Sequence, residues 1–322
     1  MNCRARAAII GLLGVLVLLG TAACSSSDNR RPATTQAAPA VGNAASAPAT
    51  AEAATTQAAP GIEVVRVVPQ TRADLPAGLV RIEYTSRLDG ASDWALALPP
   101  DEGRTWVVCI HGHGSAGDQL YKRADVRRAW LPAFQKEHFG ILTPNLRGNA
   151  WMSPKAAADL NGLLQYVRTE YKADRFVLAS ASMGGTSNLI YAVLYPKDAS
   201  AVVALCPATD LTSYYQWCRQ RPQVAVLQQI ADAIASAYGG PPDERPEPYR
   251  AHSALSHAQR LTMPVFIAHG AQDAVILVSQ SRTLADSFKA AKLHYREIPE
   301  GHHDTPIQSM TDGIEWVVKR MR

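Results

Sequence analysis

The sequence predicts an α/β fold, with a mostly parallel central sheet, antiparallel strands at its N-terminal side and helices on both faces. Two patterns carry that prediction. From residue 105 onward, unbroken apolar runs of strand length alternate with segments whose apolar residues recur at helical spacing. Before that, two strand-like runs flank Asp89-Gly90, a dipeptide that marks a hairpin. Composition agrees. Of 322 residues, 47% are hydrophobic and 19% charged, which supplies a core and excludes a disordered or fibrous chain.

The elements follow in order. IEVVRVV (62–68), LVRIEYTSRL (79–88) and DWALALP (93–99) are the antiparallel strands. TWVVCI (105–110) is a continuous apolar strand, residues 120–138 a helix, and FGILTP (139–144) a strand. Over 154–171, Leu160, Leu163, Leu164 and Val167 lie on one helical face. RFVLAS (175–180) is a strand followed by a helix over 184–195. AVVALCP (201–207), PVFIAH (264–269) and LHYREIP (293–299) complete the strands, with helices near 279–291 and 305–321. Runs apolar throughout are what strands buried on both faces require. Residues 208–258 interrupt the alternation with an aromatic cluster (Tyr214, Tyr215, Trp217), a helix (222–238) and a Pro-rich loop (239–248). An insertion there is expected above the C-terminal edge of the sheet, where ligands bind in open α/β sheets. Residues 61–322 show no second domain boundary.

The first sixty residues have a different character. Arg4 and Arg6 precede AAIIGLLGVLVLLGTAA (7–23), a basic region and an apolar run in the order of a secretory signal. As a membrane anchor the run is at the short limit for a span. TAAC, ending at Cys24, resembles the bacterial lipoprotein cleavage box, with Thr21 where Leu is usual. That resemblance implies cleavage before Cys24 and its acylation, hence an exported, membrane-anchored lipoprotein; ordinary signal cleavage implies a secreted protein. Residues 24–60 are rich in Ala, Pro and Thr, and ATTQAAP occurs twice, at 33–39 and 54–60. Such a segment buries too little apolar area to offset its ordering entropy and reads as a disordered tether.

Charge and cysteine content exclude other classes. Residues 61–322 carry 28 basic against 26 acidic side chains, so no basic face for nucleic acid is expected. Five cysteines are too few for a disulfide scaffold. Cys206 and Cys218 are placed to pair if the compartment is oxidising, and Cys109 lies in a buried strand as an inert thiol.

Four strand ends hold chemistry-bearing residues. RFVLAS-ASMGG places Ser182 between a strand and a helix, with Ser180 two before it and Gly184 two after. This resembles the nucleophile elbow of the α/β-hydrolase superfamily, in which the chain segments flanking the serine nearly touch and small residues are needed. Ser180 stands where Gly is usual. Read alone, Ser182 is also a plausible helix N-cap. HGHGS (111–115) is a Gly-rich loop whose superfamily counterpart donates one backbone N–H to the oxyanion, the residue after the nucleophile donating the other. By match these are His113, with Gly112 and Gly114 as neighbours, and Met183. The alternative is a turn with structural glycines.

PVFIAHGAQDAVI (264–276) resembles the segment carrying the triad acid, which makes Asp273 the orienting carboxylate, with Asp210 as its rival. REIPEGHHDTP (296–306) resembles the Gly-His loop of the general base. His302, directly after Gly301, matches the family position, and His303 is the rival. Ser182, Asp273 and His302 follow in the superfamily's order.

NLRGN (145–149), Asp159 and YRAHSAL (249–255) resemble the prolyl-oligopeptidase-like and dienelactone-hydrolase-like branch, over about residues 85–322. The resemblance implies a serine hydrolase that cleaves carboxylic esters without a cofactor, with a small-molecule or peptide acyl substrate. A peptidase is the alternative within the class, and a non-catalytic binding lipoprotein the alternative outside it. A metal cluster of His111, His113, His269, His302 and His303 lacks supporting ligand spacing. Tyr214, Tyr215 and Trp217 either line the substrate pocket or pack the insertion. Arg147 is expected to make a structural ion pair.

Overall fold

The computed structural model describes residues 61–288 and 292–321. The proposed signal (1–23), Cys24 and the tether (24–60) lie outside the described residues. Chain order is β1 (Ile62–Pro69), β2 (Val80–Ser86), β3 (Ser92–Leu98), β4 (Thr105–Val108), α1 (Gln119–Lys122), α2 (Ala124–Lys136), β5 (Gly140–Pro144), α3 (Pro154–Glu170), β6 (Arg175–Ala181), α4 (Met183–Leu194) and β7 (Ala199–Leu205). It continues with α5 (Leu211–Arg219), α6 (Ala225–Tyr238), α7 (Pro246–Ala251), β8 (Val265–Gly270), α8 (Val278–Ser287), β9 (Leu293–Ile298) and α9 (Met310–Met321).

The described strands form one sheet in the order β1-β2-β3-β5-β4-β6-β7-β8-β9. Pairing is antiparallel from β1 through β5 and parallel from β5 through β9. The apolar runs are buried on both faces because alternate residues enter two different cores. Phe176 and Leu178 of β6, Val202 and Ala204 of β7, and Val265 and Ile267 of β8 pack on one side with α3, α4 and the insertion. Val177, Ala179, Val203, Phe266 and Ala268 pack on the other with α2 and α9.

Two predicted helices are each divided. Arg123 is extended (φ −80°, ψ 111°) and separates α1 from α2; its guanidinium pairs with Asp125 and Asp304. Residues 305–309 form a 3-10 turn ahead of α9, and the Trp130 indole N–H donates to the Ile307 carbonyl (2.9 Å), tying that turn to α2.

Cys206 and Cys218 are separate buried thiols, so the possible pairing does not form. Burial pushes the Cys109 thiol up to about 12 and the Cys218 thiol up to about 11, which keeps both protonated at neutral pH. Arg147 does make ion pairs, with Asp89 (2.9 Å) and with the buried Asp159 (2.6 Å). Ser86 donates to the same Asp159. The 145–153 loop is thereby fixed to the β2–β3 hairpin.

Candidate active site

The C-terminal ends of β4, β6, β7 and β8 converge on one cleft. At the end of β6, Ser182 sits at φ 56°, ψ −128°, a backbone state that costs a non-glycine residue about 1–2 kcal/mol. Packing holds it there. A Cβ on Gly184 would collide with the Ile110 carbonyl oxygen and lie 2.8 Å from the Ser180 Cβ; one on Gly185 would meet the Leu205 oxygen at 3.0 Å. The Ser182 N–H donates to that Leu205 carbonyl at 2.8 Å. Ser180 has a use that glycine lacks: its hydroxyl accepts the Ile110 N–H at 2.8 Å, where β4 gives way to the Gly-rich loop. Ser182 is therefore not a side-chain cap of α4, since it makes no capping hydrogen bond.

The structure brings Ser182 and Asp273 together through His303, not His302. His303 Nε2 lies 2.9 Å from Ser182 Oγ, and His303 Nδ1 lies 2.7 Å from Asp273 Oδ2. His302 is exposed, with its Nδ1 3.2 Å from the Gln272 carbonyl. The reason is a backbone contact the sequence does not advertise. Gly270, ending β8, and Gly301 approach so closely that a Cβ on Gly270 would strike the Gly301 carbonyl. The Gln272 N–H donates to Gly301 O, and the Gly301 N–H donates to Ile298 O, both at 2.9 Å. With Gly301 pinned, a turn closed by the Thr305 N–H on the His302 carbonyl (3.2 Å) leaves His302 at the surface and carries His303 into the cleft.

Asp273 is buried. Burial alone would raise its carboxyl, but hydrogen bonds from His269 and His303 hold it well below the usual carboxylate range. Two backbone N–H groups, of Val275 and Ile276, also donate to its Oδ1. His269 was not assigned a role from sequence. Its Nε2 faces both the Ile276 carbonyl (2.9 Å) and Asp273 Oδ2 (3.2 Å), and its Nδ1 faces the Ser281 hydroxyl (2.7 Å). Two acceptors at Nε2 place the proton there. The signal was its position four residues before Asp273 at the end of an apolar strand. For His303, burial disfavours the charged ring, but the neighbouring Cys206 sulfur and the Asp273 carboxylate more than offset it, raising the imidazole well above its ordinary value. The rival acid, Asp210, lies elsewhere: it caps α5 through the Ser213 N–H (2.8 Å) and accepts from Ser253 (2.8 Å).

Two backbone N–H groups near Ser182 have no partner among the described residues. The Gly112 N–H is taken by Gln119 Oε1 (2.9 Å) and the Gly114 N–H by Asn149 Oδ1 (2.8 Å). The His113 N–H between them makes no hydrogen bond among the described residues, nor does the Met183 N–H, the first of α4. The His113 side chain accepts from the Trp151 indole at 3.3 Å, and burial lowers its pKa. A cavity of about 230 Å³ opens beside Ser182, with apolar walls from Val126, Trp130, Val226, Ile230, Val275 and Ile307. Val226 and Ile230 belong to α6, so the 208–258 insertion borders the cleft. Tyr214, Tyr215 and Trp217 do not line it. Tyr214 is buried, donates to the Val275 carbonyl (3.0 Å) and stacks against Trp217. Nor do the five histidines cluster: His111 is bound to the Gly112 and Asn145 carbonyls, and His302 faces solvent.

A family model, BD-FAE, matches residues 96–288, more than half of the chain. The chain belongs to the BD-FAE family. It has the α/β-hydrolase fold, as solved structures of similar shape show. One is an S-formylglutathione hydrolase from Agrobacterium tumefaciens, with TM-score 0.59 and 16% identity over 80% of this chain and 100% of that one. Another is acetyl xylan esterase 1 from a Thermoanaerobacterium species, with TM-score 0.58 and 16% identity over 82% of this chain and 88% of that one. A third is the fluorophosphonate-binding serine hydrolase FphF of Staphylococcus aureus, with TM-score 0.58 and 14% identity over 76% of this chain and 99% of that one. Among curated proteins no match is found. The BD-FAE match spans β4 through α8, and so covers Ser182 and Asp273 but stops short of His303.

Proposed function

We propose that this BD-FAE protein hydrolyses carboxylic esters through an acyl-enzyme on Ser182. The observation that carries the proposal is the unbroken line from Ser182 Oγ through His303 to Asp273, at 2.9 and 2.7 Å. Ser182 attacks the ester carbonyl while His303 Nε2 takes its proton. Asp273 holds the ring in the Nδ1–H tautomer and stabilises the imidazolium. The oxyanion that forms accepts the N–H groups of His113 and Met183, the two donors near Ser182 with no partner among the described residues. His303 then protonates the departing alcohol, and water attacks the acyl-enzyme with the same ring as base. The apolar wall of the 230 Å³ cavity, from Val126, Trp130, Val226, Ile230, Val275 and Ile307, is suited to a short acyl chain. That several similar folds carry esterase or hydrolase names supports the same reading.

The test is turnover of a p-nitrophenyl ester series by Ser182→Ala. The expected result is a loss of at least about 10³-fold with the fold intact. Near-wild-type turnover contradicts the proposal. A peptide p-nitroanilide panel run beside it separates the ester from the prolyl-oligopeptidase-like reading.

We also propose that the protein is exported and anchored through an acylated Cys24, from the basic, apolar and small-residue order of residues 1–24. Intact mass of the purified full chain should show cleavage before Cys24 and added acyl chains. Cleavage without added mass contradicts the anchor.

A further inference from the structure

Cys206 stands directly after β7 and within the cleft. It is almost fully buried, holds a left-handed backbone (φ 43°) and donates its N–H to the Ala268 carbonyl at 2.8 Å. Its sulfur, a ring nitrogen of His303 and a carboxylate oxygen of Asp273 all lie within 4.8 Å of one another. Cys206 and His303 line the 230 Å³ cavity with Ser182, so an ion entering the cavity meets two of the three donors; the buried Asp273 does not line it. A thiolate, an imidazole and a carboxylate at this spacing make the mixed donor set that Zn²⁺ takes in proteins, with one position left open for water. No bond in the mechanistic steps above is made or broken at the Cys206 sulfur.

We propose that Cys206, Asp273 and His303 form a Zn²⁺ site whose occupation switches the active site off. On binding, the Cys206 thiol releases its proton to solvent, and a sulfur–metal bond replaces the S–H bond. The cation is drawn by the buried Asp273 carboxylate and the imidazole; nothing is oxidised or reduced. Catalysis stops whichever ring nitrogen the metal takes. If it takes Nε2, the lone pair that would accept the Ser182 proton is consumed. If it takes Nδ1, the ring proton moves to Nε2 and the same lone pair is lost. Zn²⁺ and ester therefore compete for His303. The metal binding does not rest on the ester reading, whereas the loss of turnover does.

The experiment uses the full chain with Zn²⁺ and reads two quantities. Zinc bound per chain after equilibrium dialysis should be greater by one in the wild type than in Cys206→Ser. Fluorophosphonate labelling of Ser182 should slow at least about tenfold under saturating Zn²⁺ in the wild type and in Cys218→Ser, and by less than about twofold in Cys206→Ser, since a lost ligand lowers metal affinity by that order or more. Equal zinc content and equal slowing in Cys206→Ser overturn the proposal. Bound zinc lost in Cys206→Ser, with labelling unaffected by Zn²⁺ in the wild type, also overturns it as a switch. Should Cys206→Ser fail to fold, His303→Ala decides the binding arm: it must lose the same single zinc, and retention of that zinc refutes the site. These readouts fail separately from the ester proposal, which a missing ester turnover alone would sink.

Discussion

The turn at Ser182 and the loop at His303 each bring one side chain to the same hydrogen bond, yet different constraints build them. The small residues of the turn are clustered. Ser180, Ser182, Gly184 and Gly185 lie within six residues around one strained conformation between β6 and α4, and what they must clear is the fixed backbone of the neighbouring strand ends, at the Ile110 and Leu205 oxygens. The histidine loop is held from a distance. Gly301 is fixed by Gly270 and Gln272, about thirty residues earlier and on a different strand end. A cluster of constrained residues leaves a motif in the sequence, whereas a distant constraint fixes the register of a loop without marking which of two adjacent histidines faces inward. The contrast teaches that an elbow motif can be trusted to the residue, and a Gly-His motif only to the loop.

Several changes sharpen the contrast, in falling order of effect. Asp273→Asn should lower kcat by roughly 10³–10⁴, because the amide presents the ring with the wrong partner and favours the wrong tautomer; steady-state ester kinetics on the folded variant would show it. A drop of less than tenfold would mean that Asp273 only shapes its own loop.

Next come the two glycine contacts. Gly184→Ala drives a methyl into the Ile110 carbonyl and should cost on the order of 2–4 kcal/mol of stability. Gly270→Ala drives one into Gly301 and should cost a similar amount, but with a larger loss of turnover than of stability, since the displaced loop carries His303. Chemical denaturation paired with turnover measures both. Equal partition in the two variants would erase the proposed difference between clustered and distant constraints.

A smaller but diagnostic effect is expected in the pH profile. His303 must be neutral to accept a proton, and its pKa is raised. The acid limb of kcat/KM should thus lie above the ordinary imidazole value of about 6.5, activity rising as pH rises through it. Asp273 stays ionised across that range because its own pKa is depressed, so it adds no limb there. In Asp273→Asn the residual limb should move downward. An unmoved limb would mean that another group controls it.

The smallest effect is expected for Ser180→Gly. The elbow tolerates glycine there, but the Ile110 N–H loses its acceptor. Stability should fall by about 1–2 kcal/mol and turnover by less than tenfold.

Much of this was legible beforehand. Each of the nine strand runs read from the sequence corresponds to a strand; for the central strands β4 to β8 this is because burial on both faces writes itself as an uninterrupted apolar run. Ser182 and Asp273 could be named from short strings at strand ends. What was not legible depended on partners far along the chain. Arg123 divides a predicted helix while paired to Asp304. Tyr214, Tyr215 and Trp217 have the composition of a pocket wall, but Tyr214 is spent on Val275 and Trp217, and α6 supplies the wall instead. Cys206 reaches the cleft through a left-handed turn that no residue preference announces. Asn149 takes the Gly114 N–H from the next loop, leaving the His113 N–H as the unpartnered one.

The central claim is that His303, and not His302, activates Ser182. Fluorophosphonate labelling with peptide mapping tests it most directly, on wild type, His302→Ala and His303→Ala. The account predicts rapid labelling of Ser182 in the wild type and in His302→Ala, and labelling slowed by at least about 10³-fold in His303→Ala. Rapid labelling in His303→Ala with loss in His302→Ala would contradict it.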